Sequence, residues 1–166
     1  MVETHVAMLH AVEVALASER VTVLVMGTND LAKELRAEHV PGRQPLLTGL
    51  GLALVAARAT GKVILDGVYN DIKDPEGFEA ECVQGRQMGF DGKTLIHPSQ
   101  LEPCNRIFAP APEDVERSQR IIEAFEQADA EGRGVVTVDG RMIENLHVDQ
   151  ARRTLALAAA IEAMAG

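Results

Sequence analysis

Several apolar runs in this chain end in polar residues that can do chemistry. VTVLVM, residues 21–26, runs into Gly27, Thr28, Asn29 and Asp30; VILD closes on Asp66; TLIHP closes on His97. Glu3 stands directly ahead of the first helical pattern, where the end of an earlier strand is expected, with only Met1 and Val2 before it. Two carboxylates at the ends of successive parallel strands can converge on one hard divalent cation, with water and substrate oxygens filling the other positions. Glu3 and Asp30 are the pair placed for this. Each position also has a plainer use. An Asp between strand and helix is commonly an N-cap, and a near-terminal Glu is commonly solvated. Asp66 can cap a turn, His97 can bond a carbonyl inside a core, and Asp71 and Asp74 suit turns. On the residues alone, both readings stay open.

The elements that must position these groups alternate in type. Short β-branched runs are separated by longer helical patterns, the signature of βα units around a parallel sheet. Val6, Leu9, Val12 and Leu16 against His10 and Glu13 predict one helix over residues 4–17. Residues 21–26 and 62–67 (KVILDG) predict buried strands, and 93–96 a third, ended by Pro98. Between the first two strands, EHVPGRQP excludes regular structure through Pro41, Gly42 and Pro45, and a loop there is often functional. A small-residue helix follows, with Gly49 and Gly51 allowing a close neighbour and Gly61 stopping it. Asp74 as cap and Pro75 at the first position open a helix over 75–89. From about residue 108 the style changes. A Pro-rich link leads to an amphipathic helix, then a small β element turning at Asp139-Gly140, then an Ala-rich helix. The organisation expected is residues 1–107 as one part and 108–166 as another.

A net charge of −9 without a Lys/Arg cluster argues against nucleic acid and anionic membranes as partners. No stretch of about 18 apolar residues occurs and the N-terminus lacks a signal pattern. Cys82 and Cys104 stand singly, without metal-type spacing. A cytoplasmic protein with reduced thiols is expected.

Read in order, VETHVAMLHAVEVA, VMGTNDLAKEL, LDGVYNDIKDPEGF, GFDGKTLIHPSQL and GRMIENLHVDQARR resemble the carboxyl-terminal half of the citrate lyase β-subunit/malyl-CoA lyase family of CoA-ester lyases, within the HpcH/HpaI aldolase superfamily. The resemblance implies the later part of a TIM (β/α)8 barrel followed by a carboxyl-terminal lid of helix and β-hairpin, assembled as a trimer or hexamer. It implies Mg2+, coenzyme A as part of the substrate, and a C–C bond made or broken between an acyl-CoA and an oxo-acid. A thioesterase use of the same site and a non-catalytic assembly role are the alternatives.

Carried over by position, the family's metal glutamate falls on Glu3 and its metal aspartate on Asp30, which is then also a catalytic residue. Asn29 stands where many relatives have Glu. His97, Pro98 and Gln100 match the segment beside the CoA tail, and residues 65–71 match a substrate-side strand end. Arg43 falls where a loop arginine contacts CoA phosphates, although a surface arginine is the plainer reading. Glu144 replaces the lid aspartate that serves as acid/base group; a longer carboxylate can serve proton transfer with altered reach. The family's early strands, with a substrate-binding arginine, have no counterpart in these residues, and a complete barrel takes about 250 residues. The resemblance thus implies a fragment, or a half barrel that must associate, with little lyase activity by itself.

Overall fold

The computed structural model describes residues 1–132 and 136–165, which divide into two compact units, Met1–Phe108 and Ala109–Gly166. In the first unit the chain runs through α1 (His5–Leu9), α2 (Ala11–Leu16), β1 (Val23–Val25), α3 (Thr28–Leu35), a 3-10 segment (Pro41–Leu46), α4 (Leu47–Ala59), β2 (Val63–Asp66), α5 (Pro75–Met88), β3 (Gly92–Lys93), a 3-10 turn (Pro98–Gln100) and α6 (Leu101–Phe108). The second unit holds α7 (Pro112–Ala130), β4 (Val136–Val138), β5 (Arg141–Ile143) and α8 (Asn145–Ala165).

The sheet of the first unit is parallel in the order β1-β2-β3, with Val23 opposite Val63 and Asp66 opposite Lys93. Val2 extends it beyond β1 by a parallel bridge to Met26, its N–H donating to the Val25 carbonyl at 2.7 Å. Glu3 therefore does stand at the end of a strand-like segment. Alternation along the strands sends Leu24, Met26, Ile64 and Asp66 to one face, where all are buried. There Leu24, Met26 and Ile64 meet Leu31 of α3 and the small-residue face of α4, including Leu50, Ala53 and Ala57. Each such aliphatic side chain contributes on the order of 2 kcal/mol by leaving water.

Full burial of these strands, expected from their unbroken apolar runs, is not what the fold shows. Val23 and Val63, on the opposite face, are 41% and 43% exposed, because the helices cover only one side. The helix expected over residues 4–17 is broken at His10, whose backbone (φ −115°, ψ 26°) leaves the helical region and separates α1 from α2. The third strand is two residues rather than four, although Thr94 N–H still reaches the Asp66 carbonyl. Of the two helix glycines, Gly49 does admit a close neighbour, since a β-carbon there would lie 3.1 Å from Leu31 Cδ2; Gly51 faces open space.

Asp74 caps α5 as its sequence predicts, Oδ1 accepting from Gly77 N–H at 3.0 Å with Pro75 next in line. In the second unit, Asp139 and Gly140 take the positive φ values (51° and 75°) that a tight hairpin turn requires. That unit has its own core of Ile121, Ile143, Val148 and Ala151. No helix among the described residues is long and apolar enough to cross a membrane.

Candidate functional site

Glu3 and Asp30 flank the start of α3. Gly27 N–H donates to the Val2 carbonyl at 3.0 Å, bringing the two strand ends together. The space a side chain would take at Gly27 is filled by Glu3: a β-carbon there would overlap Glu3 Cβ and lie 2.6 Å from Glu3 Oε2. Asp30 is the third residue of α3, whose N-cap is Gly27 without any side-chain cap bond. The capping use of Asp30 is thereby set aside. Neither carboxylate has an ion pair or hydrogen bond to another described side chain. Both sit near a helix N-terminus, whose partial positive charge favours negative groups. Among the described residues no group of three or more His, Cys, Asp or Glu is gathered for a metal ion. A two-carboxylate, all-oxygen donor set of this kind fits a hard cation such as Mg2+, which keeps several waters and takes one or two carboxylates from protein.

Beside Asp30, Asn29 and Asn70 form a reciprocal amide pair, at 3.0 and 2.7 Å, that ties the start of α3 to the loop after β2. Asp66 behaves differently from Asp30. Its carboxylate is fully buried, accepts from Arg43 Nη1 at 2.7 and 2.8 Å, from Lys93 Nζ at 3.2 Å and from Gly67 N–H at 2.8 Å. Glu81 of α5 completes the cluster, accepting from Lys93 Nζ at 2.6 Å. Two cations and two anions balance.

Arg43 departs from expectation. It is 5% exposed, not a surface arginine, and its guanidinium is committed to Asp66 through Nη1 and to Gln84 Oε1 through Nε (2.8 Å). Burying a guanidinium demands a carboxylate partner, which Asp66 supplies. Gly42 and Arg43 both take left-handed backbone angles (φ 76° and 53°), which turn the side chain inward. Nη2 alone is left without a partner.

His97, Pro98 and Gln100 form one compact turn. His97 Nδ1 accepts from Ser99 N–H at 3.2 Å, so the ring caps the turn at the surface and is not a core histidine. Gln100 is buried, its Oε1 accepting from Ile96 N–H and its Nε2 donating to the Tyr69 carbonyl at 3.1 Å. Its amide is thus spent inside the fold. Tyr69 O–H donates to Asp74 Oδ2 at 2.6 Å, and that bond, with partial burial, pushes its pKa up to about 12, while the same bond lowers Asp74.

Tyr69 also borders a cavity of about 430 Å3 between the 39–46 loop, the 68–74 loop and α5. Arg43 lines it, and so do Val68, Tyr69, Asn70 and Asp71 of the strand-end segment 65–71. Its walls come from separated segments, the loop at 39–46, residues 68–74 and α5, so the cavity itself is seen only in the fold. In the second unit Glu144 is exposed just past β5, its carbonyl accepting from His147 and Val148 at the start of α8 and its N–H donating to His147 Nδ1.

A parallel α/β layer with two acids at adjacent strand ends defines an α/β protein with a candidate site for an oxygen-ligated cation. The chain belongs to the HpcH/HpaI aldolase/citrate lyase family, whose profile matches residues 1–98. It is 58% identical over 163 residues to a (3S)-malyl-CoA thioesterase of Cereibacter sphaeroides, covering 98% of this chain and 57% of that protein. The citrate lyase subunit beta of Escherichia coli K12 is 38% identical over 157 residues, covering 95% and 52%. Among solved structures, protein CitE from Mycobacterium tuberculosis, in complex with magnesium, acetoacetate and coenzyme A, superposes with a TM-score of 0.76 at 27% identity, covering 94% of this chain and 58% of that one. The chain thus spans little more than half the length of these relatives.

Proposed function

We propose that this chain carries the magnesium-binding part of an enzyme acting on a 3-hydroxyacyl-CoA of the malyl-CoA type, and that the reaction is hydrolysis of the thioester. The observation that carries the metal part is the pair Glu3 and Asp30, unpaired at adjacent strand ends around Gly27. The choice of hydrolysis over carbon–carbon cleavage rests on the 58% identity to a malyl-CoA thioesterase. This reverses the order in which the sequence motifs alone ranked the two.

In this reading residues 1–107 form the later part of a TIM barrel and residues 108–166 a lid, in a cytoplasmic homo-oligomer. Glu3 and Asp30 hold the ion, which when bound supplies Lewis-acid polarisation of substrate oxygens. Glu144, on a lid that closes over a neighbouring subunit's site, takes a proton from water as its oxygen attacks the thioester carbonyl; the C–S bond breaks and the CoA thiolate leaves, to be protonated in turn. His97 and Pro98 lie along the CoA chain. A second reading, C–C cleavage to an oxo-acid and an acyl-CoA, is supported by the likeness to citrate lyase beta subunits and to CitE bound to acetoacetate and coenzyme A. There Glu144 would deliver the proton to the enolate carbon.

Calorimetry with Mg2+ tests the site: one ion bound by the folded chain, and binding lost in Glu3→Gln and in Asp30→Asn. Unchanged binding in both variants sinks the reading. Product analysis with (3S)-malyl-CoA separates the reactions, since hydrolysis gives malate and free CoA, whereas cleavage gives glyoxylate and acetyl-CoA.

A further inference from the structure

Two consecutive residues of the loop between β2 and α5 are gripped by two different segments of the fold. Asn70 and Asn29 exchange both amide bonds, each Nδ2 donating to the other's Oδ1, at 3.0 and 2.7 Å. Tyr69, one residue earlier, accepts at its carbonyl from Nε2 of the buried Gln100 at 3.1 Å. Asn29 belongs to the first turn of α3, directly before Asp30, and Gln100 to the turn that begins at His97. One loop thus joins the segment bearing a proposed metal ligand to the segment proposed to lie along the CoA chain. At the base of the loop the approach of α3 is close, since a β-carbon at Gly67 would overlap the Thr28 side chain.

The two grips differ in kind. Gln100 is 3% exposed and its amide is spent at both ends, so it anchors the loop as part of the core. Asn29 and Asn70 are exposed, and water competes for both of their bonds, so the pair adds little to stability. What a reciprocal pair supplies is orientation, because two bonds between the same two planar groups fix an angle as well as a distance. Both amides are neutral, so the joint sets the loop without altering the charge next to Asp30.

We propose that Asn29 and Asn70 are positioning residues for the reaction proposed above: their pair holds the substrate-side loop against the first turn of α3, so that the acyl end of the CoA ester meets the ion held by Glu3 and Asp30 in one orientation. The inference rests on that reading of the reaction and adds to it the residues that set the orientation. In this role neither amide needs to touch the reacting atoms. The helix backbone carries Asp30, so loss of the pair loosens the loop and leaves the metal ligands in place.

Asn29→Ala, Asn70→Ala and the double variant test this, each first shown to be folded by circular dichroism. Tyr69 is the chain's one tyrosine and there is no tryptophan, so intrinsic fluorescence reports on this loop alone. Asn29→Ala, made on a different element, should make that fluorescence about twofold more accessible to quenching by acrylamide. Mg2+ affinity in calorimetry should stay within about twofold of wild type, since both carboxylates remain. With (3S)-malyl-CoA, kcat should fall about tenfold in either single variant while KM changes by less than about threefold, because orientation is lost and CoA binding is not. The double variant should be within about twofold of the singles, as two groups acting through one joint are not additive. Unchanged quenching in Asn29→Ala, a wild-type kcat in either single variant, or losses that multiply in the double variant would each overturn the proposal. A folded wild type without Mg2+ binding or turnover would remove the underlying reading and this inference with it, whereas normal binding and turnover in wild type and variants alike would remove the inference alone.

Discussion

Arg43 and Asp66 meet inside the first unit, guanidinium Nη1 lying 2.7 and 2.8 Å from the two carboxylate oxygens, with the residues 5% and 0% exposed. The pair joins the left-handed loop at 42–43 to the end of β2, and Lys93 and Glu81 bring β3 and α5 into the same cluster. Removing one member leaves a buried charge without its partner. Asp66→Asn and Arg43→Met should each therefore lower the unfolding free energy by about 3–5 kcal/mol, read from urea denaturation. The double change to Met and Leu should cost less than the sum, since neither charge then remains. Single variants losing under about 1 kcal/mol would contradict the cluster's role.

The bond between Tyr69 and Asp74 makes a spectroscopic prediction. Ionising the phenol would place two negative charges side by side and break a 2.6 Å hydrogen bond. With one tyrosine in the chain, tyrosinate absorbance should titrate near pH 12 in the folded protein, against 10.0 for a free side chain. Asp74→Asn should bring the midpoint back toward about 10. Because the folded value lies above the unfolded one, the bond's contribution to stability is complete below pH 10 and is lost as the pH rises through 12. Asp74 works in the opposite sense. Its pKa is lowered by the Tyr69 bond and then by Gly77 N–H, so its capping contribution holds at neutral pH and disappears as the pH falls through its folded value.

What could be read from sequence was what neighbours along the chain decide. The apolar runs before Asp30 and Asp66, the Asp74-Pro75 helix start and the Asp139-Gly140 turn depend on residues a few positions apart, and all appear where expected. The burial of Arg43 was not legible, since it depends on Asp66, 23 residues away, and on a backbone angle that composition does not announce. The break at His10 leaves the apolar spacing intact and so gives no periodic signal. Partial exposure of Val23 and Val63 was hidden for a related reason: a run of β-branched residues reads alike whether one face or both are covered. The carboxylate pair was visible only as two strand ends; that Gly27 makes room for Glu3 needs the fold.

Gly27 offers a test of that arrangement without touching either carboxylate. A methyl group there would overlap the Glu3 side chain and crowd Oε2 at 2.6 Å, displacing it from the start of α3. Gly27→Ala should weaken Mg2+ binding by about tenfold or more in calorimetry, the scale seen when groups supporting a metal ligand are disturbed. Gly51→Ala is the control, because its β-carbon meets open space within α4. It should leave Mg2+ binding unchanged and raise stability by about 0.5–1 kcal/mol through better helix propensity. Equal Mg2+ affinity in both variants would mean that Glu3 is not held by this contact.

Cys82 and Cys104, read singly from the sequence, are brought together where α5 meets α6, beneath Phe78 and Ile107. Their proximity divides their acidities: the neighbouring Cys82 thiol, with help from Lys93, lowers Cys104, while Cys104 and burial raise Cys82. Acidity alone would make Cys104 a fast nucleophile at neutral pH, but it is 5% exposed and Cys82 is not exposed at all. Access then governs the rate, and reaction with an aromatic disulfide reagent should await local opening. Between pH 7 and 9 the rate of Cys104 modification should rise by less than about threefold, where an exposed thiol of pKa 8.5 would rise more than tenfold. Modest urea should accelerate it instead. Reaction of the folded wild type at the rate of a free thiol, unaccelerated by urea, would place Cys104 at the surface and contradict its packing against α5.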